Sequence, residues 1–142
     1  MKKLILALVL LLQVGCVYSQ ALYIFGGRGH DVFLGVLNAN KYESSSIWNA
    51  YGDYGSKYNK HSIWNQYGTY GSTYSDYSPF NKFASHPPVV VDKNGNFYGY
   101  LTINRFKAKR ANFGIVNVIY EYHESIRDDV SSWYDEIFLQ LA

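Results

Sequence analysis

An α+β domain is predicted for this chain: a small antiparallel sheet of two hairpins, a Tyr/Gly-rich repeat loop packed along it, and a C-terminal amphipathic helix. Three observations carry that expectation. Two short apolar runs are each followed by a glycine-bearing turn and a second apolar run. A sixteen-residue phrase recurs between residues 42 and 87. Finally, apolar residues step by three and four from Val116 to Ile137, the spacing that puts side chains on one helix face.

The 142 residues leave room for one domain, taken as 20–142. Residues 1–19 read as a signal peptide: Lys2 and Lys3, the apolar run Leu4 to Leu12, and a small-residue site at Ser19. That run is too short to cross a bilayer. Cleavage there starts the exported chain at Gln20 and places it in the periplasm or outside the cell. The alternative uses Gly15-Cys16 as a lipoprotein site, with a lipid anchor on Cys16 in the outer membrane. Gln13 stands where such a site usually has an aliphatic residue.

Removing Lys2 and Lys3 leaves eleven basic residues against eleven acidic ones, so the exported chain is neutral. It carries no long basic stripe, and nucleic acid is not an expected partner. Cys16 is the only cysteine, so the fold must rest on packing and not on disulfides.

Taken in order, Ala21–Phe25 and Val32–Leu37 make the first hairpin, with Gly26-Gly27-Arg28-Gly29 at its tip. Arg28 and His30 sit there as candidate ligand-binding residues. The repeat follows. Ser46-Ile47-Trp48-Asn49-Ala50-Tyr51-Gly52-Asp53-Tyr54-Gly55-Ser56-Lys57-Tyr58 returns as Ser62-Ile63-Trp64-Asn65-Gln66-Tyr67-Gly68-Thr69-Tyr70-Gly71-Ser72-Thr73-Tyr74, and a decayed third copy starts at Ser78. Ring spacings of three and four, Ser46 and Ser62 as N-caps, and Gly52 and Gly68 as stops predict one short helical turn per copy. So few copies of so short a unit predict a decorated loop and not a stacked array.

Residues 88–104 predict the second hairpin, with Asn94-Gly95 in a type I′ turn. The segment 114–139 predicts helix, in one or two pieces, with Asp128 capping the second. Its β-branched start, Ile115 to Tyr122, also suits a strand; the length of the periodic pattern decides for helix.

Catalytic and metal signatures are thin. The histidines are scattered, the Asn49/Asp53 pair returns as Asn65/Thr69, and the glycine tip lacks the residues of a phosphate loop. No metal or cofactor is expected. Aromatic residues stand out instead: eight of fifteen tyrosines and two of three tryptophans lie between 42 and 77. Ile47, Trp48, Ile63, Trp64 and Phe80 are the expected anchors. Tyr51, Tyr54, Tyr58, Tyr67, Tyr70 and Tyr74 are the candidate binding residues, with Tyr54, Tyr58, Tyr70 and Tyr74 expected to face solvent, because tyrosine offers wide contact and a polar tip.

The phrase Ser-Ile-Trp-Asn-x-Tyr-Gly-x-Tyr-Gly-Ser-x-Tyr, followed by Tyr77 to Pro88 and Gly99-Tyr100-Leu101-Thr102, resembles a group of uncharacterised bacterial secreted proteins. The likeness covers about residues 32 to 104. It implies export but brings no established activity and no catalytic residues. Function is therefore expected to be non-catalytic: a binding or surface-interaction module for a glycan or protein partner. The alternatives are a small extracytoplasmic hydrolase or inhibitor, if Arg28, His30 and Asp31 or Glu121 meet in one cleft, and a purely structural envelope protein.

Overall fold

The computed structural model describes residues 20–139; the expected signal peptide, with Cys16, lies outside the described residues. β1 (Tyr23–Gly26) and β2 (Val32–Val36) form the first hairpin, β3 (Val89–Val91) and β4 (Phe97–Tyr100) the second. Their branched and aromatic side chains suit a pleated, half-buried surface. The sheet order is β2-β1-β3-β4, antiparallel throughout. Tyr23 faces Val91 and Phe25 faces Val89 across the central pair, so the two predicted hairpins lie side by side.

The second hairpin turns differently from the expectation. A type I′ turn needs positive φ at both central residues, yet Gly95 alone supplies it there, at 82°. The Asp92 carboxylate accepts from the backbone N–H of Asn94 at 2.9 Å and of Asn96 at 3.0 Å, while Gly95 N–H donates to the Asp92 carbonyl at 3.0 Å. The aspartate pulls the turn one residue earlier and leaves the glycine as a left-handed bulge.

Residues 40–84 hold no helix. They form a run of fused β-turns, each starting on the residue that closes the one before. In the second copy, Asn59 N–H donates to the Ser56 carbonyl, Ser62 to Asn59, Asn65 to Ser62 and Gly68 to Asn65. Most turns open on Ser or Asn, whose side-chain oxygen accepts the N–H two residues on: Ser56 to Tyr58, Asn59 to His61, Ser62 to Trp64, Asn65 to Tyr67. The residues read as helix caps do accept backbone N–H groups. But such a residue recurs every third position, and each restarts the turn before a helix can propagate. The Gly68 carbonyl accepts from Gly71 at 3.3 Å and also from Ser72, one residue farther, at 3.0 Å. Four three-residue steps and one of four residues account for the period.

The copies do stack, against the expectation. Trp48 and Trp64 have ring centroids 5.7 Å apart, and Trp64 and Phe80 6.0 Å. The Trp48 indole donates to the Leu37 carbonyl and the Trp64 indole to the Ile47 carbonyl, both at 2.7 Å. Gly55 and Gly71 let each coil close tightly on itself: a Cβ there would lie 2.0 Å from the Asn49 carbonyl oxygen and 2.2 Å from that of Asn65, each in the same copy. The first coil joins the β2 edge, with Val36 N–H on the Ser45 carbonyl and Ile47 N–H on the Val36 carbonyl. The third joins the segment after β4, through Ile103 N–H on the Pro79 carbonyl.

α1 (Gly114–Asp128) and α2 (Val130–Tyr134) continue into a π-helical turn, Asp135–Leu139. The two-piece helix is as expected, but the second piece is capped by Asp129, whose carboxylate accepts the Ser132 N–H at 3.2 Å. Val116, Ile119, Ile126 and Val130 are buried. The helical segment lies on the coil stack: His123 stacks on Phe80 at 4.3 Å, and Tyr134 and Phe138 pack on Trp48. The coils reach the sheet with other rings, Tyr54 on Phe33 at 4.9 Å. The repeat is thus the middle layer. Ile24, Leu34, Ile47, Trp48, Ile63, Trp64 and Val90 share one core, and the five expected anchors, Ile47, Trp48, Ile63, Trp64 and Phe80, are all buried.

Candidate functional site

The turn register decides where each ring points. The residue two places after a turn-opening Ser or Asn carries the aromatic group, and successive turns aim it in different directions. In the second copy Trp64 points inward and is 1% exposed, while Tyr58 and Tyr67 are 82% and 88% exposed. Tyr51 and Tyr74 repeat the pattern at 98% and 92%. Four of the six candidate tyrosines therefore stand in solvent.

The other two do not. Tyr54 and Tyr70 are half-buried, which corrects the expectation that both face outward. Tyr54 meets the Phe33 ring edge-on, and Tyr70 stacks on His61 at 6.2 Å and approaches Gly26. They precede Gly55 and Gly71, where the wider step turns the chain toward the sheet. Tyr51 and Tyr67, which the sequence did not single out as the more exposed, are among the barest residues.

The exposed rings sit on a fixed base. Asn65 accepts the Tyr67 N–H through Oδ1 and donates through Nδ2 to the Asn59 carbonyl at 3.1 Å. Asn49 does the same to Glu43, and Asn81 to Ser75. Each asparagine so fixes its own turn and pins the chain six residues back. That is why it persists in all three copies, and its role is structural. Lysines accompany several rings: Lys41 Nζ lies 5.4 Å from the Tyr42 ring centre, Lys57 5.5 Å from Tyr58 and Lys82 5.1 Å from Phe83, within cation–π range.

Comparison with family models, with curated proteins and with solved structures gave no match. The residues themselves must carry the reading.

Arg28 is exposed at the first hairpin tip. His30 adopts φ 53° and its Nε2 lies 3.0 Å from the Pro87 carbonyl, which fastens the tip to the end of the repeat. Glu121 lines a different cleft, with Arg105, Arg110, Tyr120 and His123. The structure does not bring Arg28, His30 and Glu121 into that cleft together. Asp31 follows His30 and is exposed. Among the described residues no three His, Cys, Asp or Glu side chains gather closely enough to hold a metal ion. No described helix is long and apolar enough to cross a membrane.

Three exposed rings escaped the sequence reading: Tyr42 at 81%, Phe83 at 79% and Phe106 at 95%. The signal was present. Each follows an asparagine by two positions, as Tyr51 follows Asn49, and each of those asparagines, Asn40, Asn81 and Asn104, accepts the ring residue's N–H.

Proposed function

We propose that the chain is an exported, non-catalytic recognition module that binds a glycan or protein partner through the exposed rings of its repeat. One observation carries the reading: Tyr42, Tyr51, Tyr58, Tyr67, Tyr74 and Phe83 are all nearly bare, and recur alternately nine and seven residues apart on a hydrogen-bonded scaffold. Keeping large apolar rings in water forfeits the burial that stabilises a fold, and contiguous exposed apolar surface marks interaction sites. Rings held by fixed turns lose little entropy when a partner covers them. The hydrolase alternative has no comparable support, since Glu121 sits in a cleft lined by neither Arg28 nor His30.

The test is adsorption of the purified protein, residues 20–142, to crude bacterial envelope and to cell-wall glycan, with Tyr51→Ala and Tyr67→Ala variants alongside. Adsorption that the variants lose supports the module. Adsorption indifferent to both substitutions, or none at all, removes the role of the rings.

A further inference from the structure

We infer that the repeat carries two related sugar-binding clefts, at its second and third coils, which together hold an extended neutral polysaccharide lying along the stack. The inference rests on the recognition reading above and gives it a ligand class.

The clefts are copies of one another. The first, of about 460 Å³, is lined by Lys57, Tyr58, Trp64, Asn65, Gln66 and Tyr67. The second, of about 540 Å³, is lined by Thr73, Tyr74, Phe80, Asn81, Lys82 and Phe83. Each of these six residues in the second stands sixteen positions after its counterpart in the first, while Arg127 and Asp128 complete the first cleft and Ile103 the second. Each is lined by two exposed rings and by one buried ring, its floor. Both volumes fall in the range of small-molecule sites. In the first coil the matching lysine is engaged elsewhere: Lys41 is drawn to Asp135 at 2.7 Å and Ser131 at 3.2 Å, and Trp48 is covered by Tyr134 and Phe138.

Three features select the ligand. The floor rings, Trp64 and Phe80, are 6.0 Å apart, an advance of the order of one sugar ring in an extended chain, so adjacent clefts meet successive units of a polymer. The walls are flat aromatic faces with polar neighbours, Gln66 and the Arg127/Asp128 pair at the first cleft and Thr73 and Lys82 at the second. A pyranose ring presents apolar C–H faces to such walls and hydroxyls, both donor and acceptor, to such rims. A proline-rich peptide that docks in aromatic grooves repeats only every three residues, about 9 Å; an extended strand has a similar two-residue advance, but it binds by adding to a free backbone edge. Here that edge is spent: the backbone N–H groups of Tyr58, Tyr67, Tyr74 and Phe83 are bonded to Ser56, Asn65, Ser72 and Asn81 side chains. Carbohydrate needs no such edge.

The test is calorimetric titration of the protein with β-1,4-glucose, α-1,4-glucose and β-1,4-N-acetylglucosamine hexaoses and the matching monosaccharides. Two clefts in tandem predict that one hexaose binds at least about tenfold tighter than its monosaccharide, which fills one cleft only. Tyr67→Ala and Phe83→Ala each weaken that hexaose by about tenfold, the double variant abolishes binding, and Phe106→Ala, which removes a bare ring outside the repeat and both clefts, leaves it unchanged. Unaltered thermal melting of the variants excludes misfolding as the cause. No hexaose binding, equal affinity for the two lengths, or equal loss in Phe106→Ala overturns the assignment. If hexaoses fail yet envelope adsorption still depends on Tyr51 and Tyr67, the sugar class falls and the recognition reading stands. If adsorption fails as well, both fall.

Discussion

The Trp64 indole nitrogen donates to the Ile47 carbonyl at 2.7 Å, joining the second coil's floor ring to the backbone of the coil before it. This bond turns a glycine-rich segment into a stack, because Trp64 is 1% exposed and water does not replace it. Trp64→Phe keeps the ring but leaves the Ile47 carbonyl without that donor. A lost buried bond costs about 1–3 kcal/mol, with a smaller contribution from the reduced ring. Urea unfolding monitored by circular dichroism is expected to show a loss of about 2–3 kcal/mol.

Gly71 tests the close approach of the chain to itself within one coil. A Cβ at this position would meet the Asn65 carbonyl oxygen at 2.2 Å and that of Ile63 at 2.6 Å, both backbone atoms. Gly71→Ala is expected to destabilise by about 3 kcal/mol or more, at the upper end of overpacking effects. Gly114→Ala is the control, since nothing lies within 4 Å of the added carbon and the residue opens α1. There the substitution is expected to stabilise by about 0.5–1 kcal/mol, from the lower entropy of the unfolded chain. Thermal melting of the two variants should shift in opposite directions.

Exposure separates the tyrosines into two classes with opposite expected behaviour. Tyr51→Ala, Tyr58→Ala and Tyr74→Ala remove rings that touch solvent and should change stability by no more than about 0.5 kcal/mol. Tyr54→Ala removes a ring packed edge-on against Phe33 and should cost about 1–2 kcal/mol, less than for a fully buried aromatic. A stability loss at Tyr58 equal to that at Tyr54 would contradict the described packing.

His123 gives the fold a pH dependence. Burial, with Arg127 adding to it, holds the imidazole below its usual range, and the Tyr120 carbonyl and Glu124 oppose this only in part. Arg105, Arg110 and Glu121 line the cleft beside it, and its ring stacks on Phe80. The folded state thus binds this proton more weakly than the unfolded chain. The stability is complete above about pH 6.5, the unperturbed value, and is lost as pH falls through the lower folded value. Asp76, Asp92 and Asp129, held low chiefly by bonds from Ser85, Asn96 and Ser132 respectively, lose their contributions at more acid pH, below the ordinary carboxylate range. Denaturant midpoints between pH 7.5 and pH 5 should fall in the native protein and flatten in His123→Phe, which keeps the stack on Phe80 and cannot titrate.

Much of the fold was legible because its signals are local. Alternating and stepped apolar residues placed the strands and helix, since side-chain period follows directly from backbone geometry. The anchors were legible too: an isoleucine and a tryptophan kept in register through glycine-rich chain have few roles besides burial. The helical turns were not, because Ser46 and Ser62 accept backbone N–H groups in a helix cap and in an isolated turn alike. What separates the two is the next turn-former three residues on, a pattern visible only when the whole run is read together.

The sequence by itself determined a repeating unit, two hairpins, a C-terminal helical segment and a surplus of aromatic residues. Tertiary structure alone decided which rings face water. Tyr51 and Tyr54 lie three residues apart in the same copy, yet one is bare and the other is packed on Phe33. A ring's exposure depends on what the neighbouring coil and the sheet put beside it, through contacts such as Trp64 on Ile47 that join residues far apart in the chain, and residue type alone does not encode those contacts.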